Sequence, residues 1–241
     1  RTEIDVRIMV EPITFSAVLF DMDGLMFDTE RLMLRAWRRA MADFGYDASD
    51  EVFMASIGAT VESTNRLLVA AYGPDFLLEA TNRRTDEYAR QEVETRGAPL
   101  KPGLLALLTY LEAREIPKAV ASSSRRATIE RLLAAAELTE RFAAIAAGDQ
   151  VTRGKPAPDI FLLAAQRLEV EPARCLVLED SERGAQAARA AGMAVIIVPD
   201  IQPPSDQIMP LAAAVLPDLH AVQAWLAARG AASSLSPSIS A

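Results

Sequence analysis

The fold of this chain is decided by one stretch, Ala17-Val18-Leu19-Phe20-Asp21-Met22-Asp23-Gly24. Its first four residues are all apolar, which predicts a strand buried on both faces of a parallel sheet. Ligands bind at the carboxyl edge of such a sheet, and there the stretch places Asp21 and Asp23. Residues i and i+2 of an extended segment point the same way. Both carboxylates can therefore reach one small site, where their repulsion favours a bound cation or a raised pKa.

A strand-end turn or a calcium-binding loop can also contain Asp-x-Asp-Gly. A calcium loop needs an acid or amide at its fifth position, glycine at its sixth and glutamate at its twelfth. Those positions hold Leu25, Met26 and Leu32, so the calcium loop is excluded. The plain turn stays open on this motif alone.

Further apolar runs alternate with amphipathic stretches along the chain. We predict strands at 17–21, 117–121, 143–147, 175–178, 195–198 and 214–216. Helices are predicted between them, at 103–114, 125–136, 159–168 and 182–191. Strands that alternate with helices of this length form βαβ units. The predicted fold class is therefore α/β with a parallel sheet.

The interval 30–100 contains only helical patterning. Apolar residues of its first helix recur at helical spacing, and further helices are predicted at 60–72 and 75–96. Four arginines lie largely off the apolar stripe and are predicted to face solvent: Arg31, Arg35, Arg38 and Arg39. We predict a core at 1–29 and 101–230, interrupted by a helical bundle at 30–100 that overhangs the crevice. The serine- and alanine-rich segment 231–241 is predicted to be disordered.

Composition limits the class of function. The 241 residues are 51% hydrophobic and carry a net charge of -8. Nucleic acids and anionic membranes attract clustered Lys and Arg, so this balance argues against either as a partner. No apolar stretch approaches the ~20 residues that span a bilayer. The first residues lack a signal-peptide core, which favours a cytoplasmic location.

Scarce residue types narrow the chemistry further. The single cysteine, Cys175, lies in an apolar run and is predicted to be a buried structural thiol. The chain has a single histidine, His220, so the sequence argues against a Ser-His-Asp triad and against a histidine-rich zinc site. Acid–base catalysis must therefore fall to carboxylates or lysine.

Two motifs suit a phosphate group. Residues 122–124 are all serine and lie between a strand and a helix, where free N–H groups and the helix dipole attract an anion. Helix capping by serine also explains this motif. Lys155 lies in a loop made rigid by Pro156 and Pro158, which excludes a Walker-type loop because Ser or Thr must follow the lysine there. A surface lysine is the alternative.

Glu179-Asp180 places two more acids at the end of a predicted strand. Asp21, Asp23, Glu179 and Asp180 together form a set of hard oxygen ligands suited to Mg²⁺. Ser122, a neighbouring N–H and Lys155 supply hydrogen-bond donors for a phosphate.

These four motifs, in this order, closely resemble those of the haloacid dehalogenase superfamily over nearly the whole chain. Stretches 20–30, 154–159 and 178–181 are similar to the subgroup that contains β-phosphoglucomutase and small-sugar phosphatases. This resemblance implies a doubly wound, Rossmann-like parallel sheet. It also implies an all-helical cap between the first two motifs, in agreement with the interval 30–100.

The resemblance implies a role for each motif residue. Asp21 would take the phosphoryl group as an aspartyl-phosphate, and Asp23 would protonate the leaving oxygen and then activate water. Mg²⁺ would be bound by the Asp21 carboxylate, the Asp23 carbonyl and Asp180, with Glu179 in support.

The same resemblance assigns the phosphoryl oxygens to Ser122, the Ser123 N–H and Lys155. In the cap, candidate substrate contacts are Thr60, Glu62, Asn65 and Arg84.

The leading hypothesis is a magnesium-dependent phosphatase acting on a small sugar or polyol phosphate. A phosphosugar mutase is the alternative. The mutases that the chain resembles use a histidine and an arginine of the cap, and Met33 and Val61 hold those positions here.

A dehalogenase is disfavoured because it does not use the second aspartate, present as Asp23. A phosphonate hydrolase usually has a small residue there, and a non-catalytic binding module would not need the full motif set.

Overall fold

The computed structural model describes residues 14–57, 61–202, 204–206 and 208–229. The sheet within this part of the chain has six strands, all parallel, in the order β3-β2-β1-β4-β5-β6. The strands are β1 (Ala17–Phe20), β2 (Lys118–Ser122), β3 (Ala144–Ala147), β4 (Cys175–Glu179), β5 (Ala194–Ile197) and β6 (Ala214–Val215). The predicted α/β class is confirmed, and the segment 231–241 lies outside the described residues.

β1 lies between β2 and β4, and the pairing register sets the position of the candidate site. Phe20 pairs with Val120 of β2 and with Leu178 of β4, so these three strands end within two residues of one another. All four residues of β1 are buried, as its apolar sequence predicts. The residues that follow the three strands therefore meet at one edge of the sheet.

Helices cover both faces of the sheet, which makes the fold doubly wound as predicted. The helices of the core are α5 (Leu104–Glu112), α6 (Arg126–Ala135), α7 (Asp159–Arg167), α8 (Glu182–Ala190) and α9 (Leu219–Ala228). Val18 and Phe20 pack in the apolar cluster that contains residues of α5, α6 and α9. Ala17 and Leu19 point to the opposite face, where the cluster includes residues of α7 and α8.

Four helices between β1 and β2 form what we call the helical insertion: α1 (Thr29–Asp43), α2 (Asp50–Ser56), α3 (Val61–Tyr72) and α4 (Leu78–Arg96). It has a small apolar cluster of its own, made by Trp37, Met41, Phe53, Leu68 and Phe76. Periodicity did not predict α2, because its seven residues are too few to display a period. Ser49 caps the start of the helix, because its side chain accepts a hydrogen bond from the Val52 N–H.

Two joining segments, residues 26–28 and 99–101, connect the helical insertion to the core and pair with each other. The Asp28 N–H donates to the Pro99 carbonyl at 2.8 Å, and the Lys101 N–H donates to the Met26 carbonyl at 2.9 Å. Phe27 and Leu100 form an antiparallel bridge between them. Both crossings of the chain therefore lie side by side next to Asp23.

Cys175 is buried in β4, and burial raises the pKa of its thiol to about 11. This agrees with the predicted structural thiol, because the neutral form is the less nucleophilic one. Within the described ranges, no helix has both the length and the apolar character needed to cross a membrane.

Candidate active site

Asp21 follows β1 directly and is held at the carboxyl edge of the sheet. Its N–H donates to the Leu178 carbonyl at 3.0 Å, which extends the pairing with β4 one residue beyond the strand. The side chain is buried. Asp21 Oδ1 accepts a hydrogen bond from Lys155 Nζ.

Lys155 lies between two carboxylates of different strands. Its Nζ donates to Asp21 Oδ1 and, at 2.6 Å, to Glu179 Oε1. Arg183 Nε donates to the Lys155 carbonyl at 3.1 Å, which helps to hold the loop in place. Only 7% of Lys155 is exposed, which excludes the alternative of a surface lysine.

The charges around Lys155 do not balance. Burial raises the pKa of Asp21 to about 8; Lys155 opposes this rise, and the Glu179 and Asp23 carboxylates add to it. Burial alone would lower the pKa of Lys155, but Asp21 and Glu179 outweigh it and raise that pKa above its ordinary value. The excess of carboxylates over ammonium groups makes this place favourable for an additional cation.

Glu179 is fixed through both of its carboxylate oxygens. Oε1 faces Lys155, while Oε2 accepts from the Ser181 N–H at 2.9 Å and from Ser181 Oγ at 2.8 Å. Ser181 also caps α8, since its Oγ accepts from the Gly184 N–H at 3.1 Å. Glu179 is therefore part of the support of the site.

Asp180 completes a group of acids that could hold a metal ion. Asp21, Glu179 and Asp180 present ligand oxygens that all lie within 4.8 Å of one another. Burial raises the pKa of Asp180 well above its usual range, and Glu179 and Asp21 add to the rise. Gly24 leaves room for this carboxylate, because a Cβ at Gly24 would lie 2.2 Å from Asp180 Oδ2. Hard, crowded carboxylate oxygens match the ligand preference of Mg²⁺.

Asp23 faces the serines that follow β2. Its Oδ2 accepts from Ser122 Oγ at 3.2 Å and from Ser124 Oγ at 2.8 Å. Ser122 is fully buried and Ser123 is exposed. Ser124 was not among the predicted site residues, although the run 122–124 provided the signal: serines two apart after a strand can face the same way.

A cleft of about 750 Å³ opens from Asp23 between the core and the helical insertion. Met33 of α1 lines it, as do charged side chains of α4 and α6, namely Arg83, Asp86, Glu87, Arg90 and Arg131. Burial raises the pKa of Asp86, and Arg131 and Arg125 oppose this rise. The cleft wall therefore combines apolar side chains with charged side chains of both signs.

The predicted substrate contacts of the helical bundle do not gather in this cleft. Glu62 is exposed on α3, and neither it nor Asn65 is among the residues that line the cleft. Arg84 is also absent from the lining: its guanidinium pairs with Asp43 at 2.7 Å and with Glu87 at 3.1 Å. One helix position rotates a side chain by about 100°, so Arg83 rather than Arg84 lines the cleft. Thr60 lies outside the described residues.

Glu30 is a cleft residue that the sequence did not single out. Burial raises its pKa to about 7, and the carboxylates of Asp23, Asp200 and Asp28 contribute to the rise. It lines the cleft beside Asp23. Its position adjacent to a predicted solvent-facing arginine gave no reason to expect a half-buried carboxylate there.

Residues 15–192 match the family model of the haloacid dehalogenase-like hydrolases. The chain belongs to this family. It is 38% identical over 195 residues to a probable pseudouridine-5'-phosphatase of Drosophila melanogaster, with 76% of this chain and 80% of that protein covered. It is 35% identical over 184 residues to the fructose-1-phosphate phosphatase of Escherichia coli strain K12, covering 76% and 96%.

A solved relative extends this likeness to the fold. The crystal structure of a putative β-phosphoglucomutase from Thermotoga maritima superposes with a TM-score of 0.77 at 28% identity, covering 89% of this chain and 99% of that one. The resemblance to the subgroup of β-phosphoglucomutase and small-sugar phosphatases is thus confirmed.

Proposed function

We propose that this chain is a magnesium-dependent phosphatase that hydrolyses a small phosphomonoester through an aspartyl-phosphate at Asp21. The observation that carries the proposal is the convergence of Asp21, Lys155 and Glu179 in one buried contact, with Asp23 and Asp180 beside it. Family membership and two phosphatase relatives support the same reaction.

In the first half-reaction, an Asp21 carboxylate oxygen attacks the phosphorus atom. The bond between phosphorus and the ester oxygen breaks, and Asp23 gives its proton to the departing alkoxide, which leaves as an alcohol. The Asp23 carboxyl group is steadied by two serine hydroxyls, so its orientation toward the cleft is fixed. Positioning of this kind is a large part of phosphoryl-transfer catalysis.

In the second half-reaction, water attacks the phosphorus atom and Asp23 takes its proton. The bond between phosphorus and the Asp21 oxygen breaks, which releases inorganic phosphate and restores the carboxylate. Lys155 remains next to both Asp21 and Glu179, where its ammonium group would also bind the phosphoryl oxygens. Ser122 and the Ser123 N–H would supply further donors.

The acidic group fits Mg²⁺, which the Asp21 and Asp180 carboxylates and the Asp23 carbonyl would hold, with Glu179 in support. Bound there, the ion would offset the negative charge of the phosphoryl group. Asp21 must attack as a carboxylate, and a neighbouring cation favours that form against the effect of burial.

We further propose that the alcohol part of the substrate is a sugar or polyol. The cleft beside Asp23 is lined in part by arginine, aspartate and glutamate side chains, which suit hydroxyl groups. Relatives named for fructose 1-phosphate and pseudouridine 5'-phosphate act on sugar-linked phosphomonoesters of this kind.

A phosphosugar mutase is the second candidate, because a solved relative is titled a putative β-phosphoglucomutase. Met33 lines the cleft at the position where the mutases that the chain resembles have a histidine, so that polar group is missing here. We therefore expect water rather than a sugar to accept the phosphoryl group. Phosphorus NMR of an incubation with β-glucose 1-phosphate distinguishes the two, since isomerisation to glucose 6-phosphate with negligible free phosphate would favour the mutase.

The decisive experiment measures inorganic phosphate released from a panel of sugar and polyol phosphates, with Mg²⁺ and with EDTA. We expect turnover that EDTA abolishes and Mg²⁺ restores.

Asp21→Asn should lower turnover by roughly 10³-fold or more with the fold intact by circular dichroism, because an amide is a very poor nucleophile. Asp50→Asn, at an exposed carboxylate of α2, is the matched control. Turnover by Asp21→Asn near the unaltered rate would remove Asp21 from this role.

A further inference from the structure

Asp200 lies just after β5 at the carboxyl edge of the sheet, outside every sequence motif of the site. Only 4% of its side chain is exposed. Its Oδ1 accepts hydrogen bonds from Lys101 Nζ at 2.5 Å and from Arg31 Nη1 at 3.0 Å. A core carboxylate is thus bound to two cations far from it in sequence.

Those cations belong to the two places where the chain crosses between the core and the helical insertion. Arg31 is in the first turn of α1 and also pairs with Asp28 at 2.8 Å. Lys101 ends the second joining segment, and its N–H donates to the Met26 carbonyl of the first. The Asp200 carboxylate of the core therefore binds a residue at or next to each of the two joining segments.

The other oxygen of Asp200 faces the acidic group. Oδ2 is buried and has no hydrogen-bond partner among the described residues. A Cβ built on Gly24 would lie 3.5 Å from Asp200 Oδ2 and 2.2 Å from Asp180 Oδ2, so both oxygens face the space beside Gly24. A buried acceptor without a hydrogen-bond partner is destabilising, and the waters that Mg²⁺ usually retains are hydrogen-bond donors.

We infer that Asp200 is a positioning residue that couples the orientation of the helical insertion to the magnesium site. The inference rests on the proposed magnesium-dependent function. Asp200 affects the magnesium site through the surroundings of Asp180. It affects the helical insertion through its ion pairs with Lys101 and Arg31. Coupling between two sites is reciprocal. Ion binding should therefore steady the joining segments, and steady joining segments should favour ion binding.

Two variants distinguish positioning from a simple effect of charge: Lys101→Met and Arg31→Met. Each removes a positive charge near the acids, so an electrostatic effect alone would tighten binding of a divalent cation. Loss of positioning has the opposite sign. We expect Lys101→Met to raise the Kd for the cation roughly 5-fold or more, the size typical of residues that orient metal ligands, and Arg31→Met to raise it less.

The probe is Mn²⁺ added to substrate-free protein, with the free ion counted by electron paramagnetic resonance. Mn²⁺ shares the oxygen-ligand preference of Mg²⁺. Arg38→Met is the matched control, because Arg38 is an equally exposed arginine of α1 whose partner, Asp50, lies within the helical insertion. Its Kd should equal that of the unaltered protein.

Hydrogen exchange supplies the second readout. In the unaltered protein, Mn²⁺ should slow exchange of the amides in residues 26–31 and 99–103, and Asp200→Asn should abolish this protection. An unchanged or lower Kd for Lys101→Met, or protection retained in Asp200→Asn, would overturn the inference.

If Asp200→Asn does not fold, the exposed Arg31→Met variant replaces it in the hydrogen-exchange measurement. No ion binding by the unaltered protein would contradict the magnesium proposal together with this inference, whereas normal binding with unaffected variants would contradict the inference alone.

Discussion

Asp23 and Asp21 are two residues apart, but their surroundings give them different tasks. Asp21 is paired with Lys155 in a buried contact, whereas Asp23 accepts only hydroxyl donors in the described hydrogen bonds and faces the cleft. A carboxyl group held by neutral donors can lose and regain a proton without breaking an ion pair. This difference supports separate roles as nucleophile and as acid–base group.

Asp23→Asn tests the acid–base role. The amide keeps the shape of the side chain and an oxygen for the serine hydroxyls, but it cannot transfer the proton. We expect turnover to fall by about 10²- to 10⁴-fold, the typical contribution of a positioned acid or base. Steady-state kinetics at saturating Mg²⁺ provide the measurement. A preserved saturated rate with only weaker Mg²⁺ binding would exclude the acid–base role.

Glu30 should make the stability of the ion-free protein dependent on pH. Burial raises the pKa of Glu30 from its ordinary 4.5 to about 7, with Asp23, Asp200 and Asp28 adding to the rise. Between these two values the folded protein binds more protons than the unfolded chain, so stability falls as the pH rises. Glu30→Gln removes this loss.

The expected gain for Glu30→Gln is roughly 1–2 kcal/mol at about pH 8, discounted for partial exposure, and it should shrink toward pH 4.5. Urea unfolding in EDTA at both ends of this range measures it. Glu79→Gln changes an exposed glutamate of α4 and serves as the control. Equal gains at both pH values would show that the titration of Glu30 is not responsible.

At the scale of single elements, the start of α8 illustrates how packing outweighs intrinsic preference. Gly184 lies in the first turn of α8, where alanine would favour the helix by about 1 kcal/mol. A Cβ at this position would, however, lie 1.7 Å from Glu179 Oε1, the atom that binds Lys155. Displacing a buried partner of an ion pair costs several kcal/mol, about 3–5.

Gly184→Ala should therefore destabilise the protein by about 2–4 kcal/mol, which corresponds to a Tm lower by roughly 5–12 °C. Differential scanning calorimetry provides the measurement. Gly154→Ala is the control for stability, because a Cβ there would meet nothing within 4 Å. A Tm equal to that of the unaltered protein would mean that Glu179 can move freely.

Elements with a strong local pattern could be predicted from the sequence, and contacts between distant segments could not. The five longer strands were located because continuous apolar runs need two covered faces, as at β1 and β4. The motif acids were found because strand ends meet at one edge, and Lys155 was found because two prolines make its loop rigid. Asp200 was missed because its meeting with Arg31, 169 positions away, depends on how the helical insertion is placed.

The same limit explains the arginines of α1. Arg31, Arg35 and Arg38 are about half exposed, as predicted for a solvent face, but each forms an ion pair. Periodicity identifies the outward side of a helix, while the partner of an outward charge depends on neighbouring elements. For this reason Arg84, a candidate substrate contact, could not be assigned to the cleft or away from it by spacing alone.

On the scale of the whole molecule, the helical insertion has an apolar cluster of its own, while some residues of α1 and α4, such as Leu32 and Val93, belong to the core cluster. Phe53 packs against Trp37 at a ring-centroid distance of 5.7 Å, whereas Trp225 packs against the core cluster from α9. The two tryptophans of the chain thus report on different parts. This arrangement allows the two parts to be followed separately during unfolding.

Phe53→Ala should weaken the helical insertion before the core. Removing a buried phenylalanine costs about 3–5 kcal/mol, and somewhat less at this slightly exposed position. Trp37 fluorescence in a Trp225→Phe background should change at lower urea than Trp225 fluorescence in a Trp37→Phe background. Val69→Ala, at an exposed position of α3, should leave the two transitions unchanged. Coincident transitions in Phe53→Ala would indicate one cooperative unit.

The strand order has a consequence for synthesis on the ribosome. β1 emerges first, but its two neighbours in the sheet are β2 and β4, which follow much later in the chain. The nascent chain cannot assemble the catalytic edge until residue 179 has emerged, whereas the four helices of the insertion are complete long before. Pairing between such distant strands is slow because long loops must close first. During translation, β1 therefore remains an exposed apolar segment until its partner strands have emerged, and we expect chaperones to bind it during that interval.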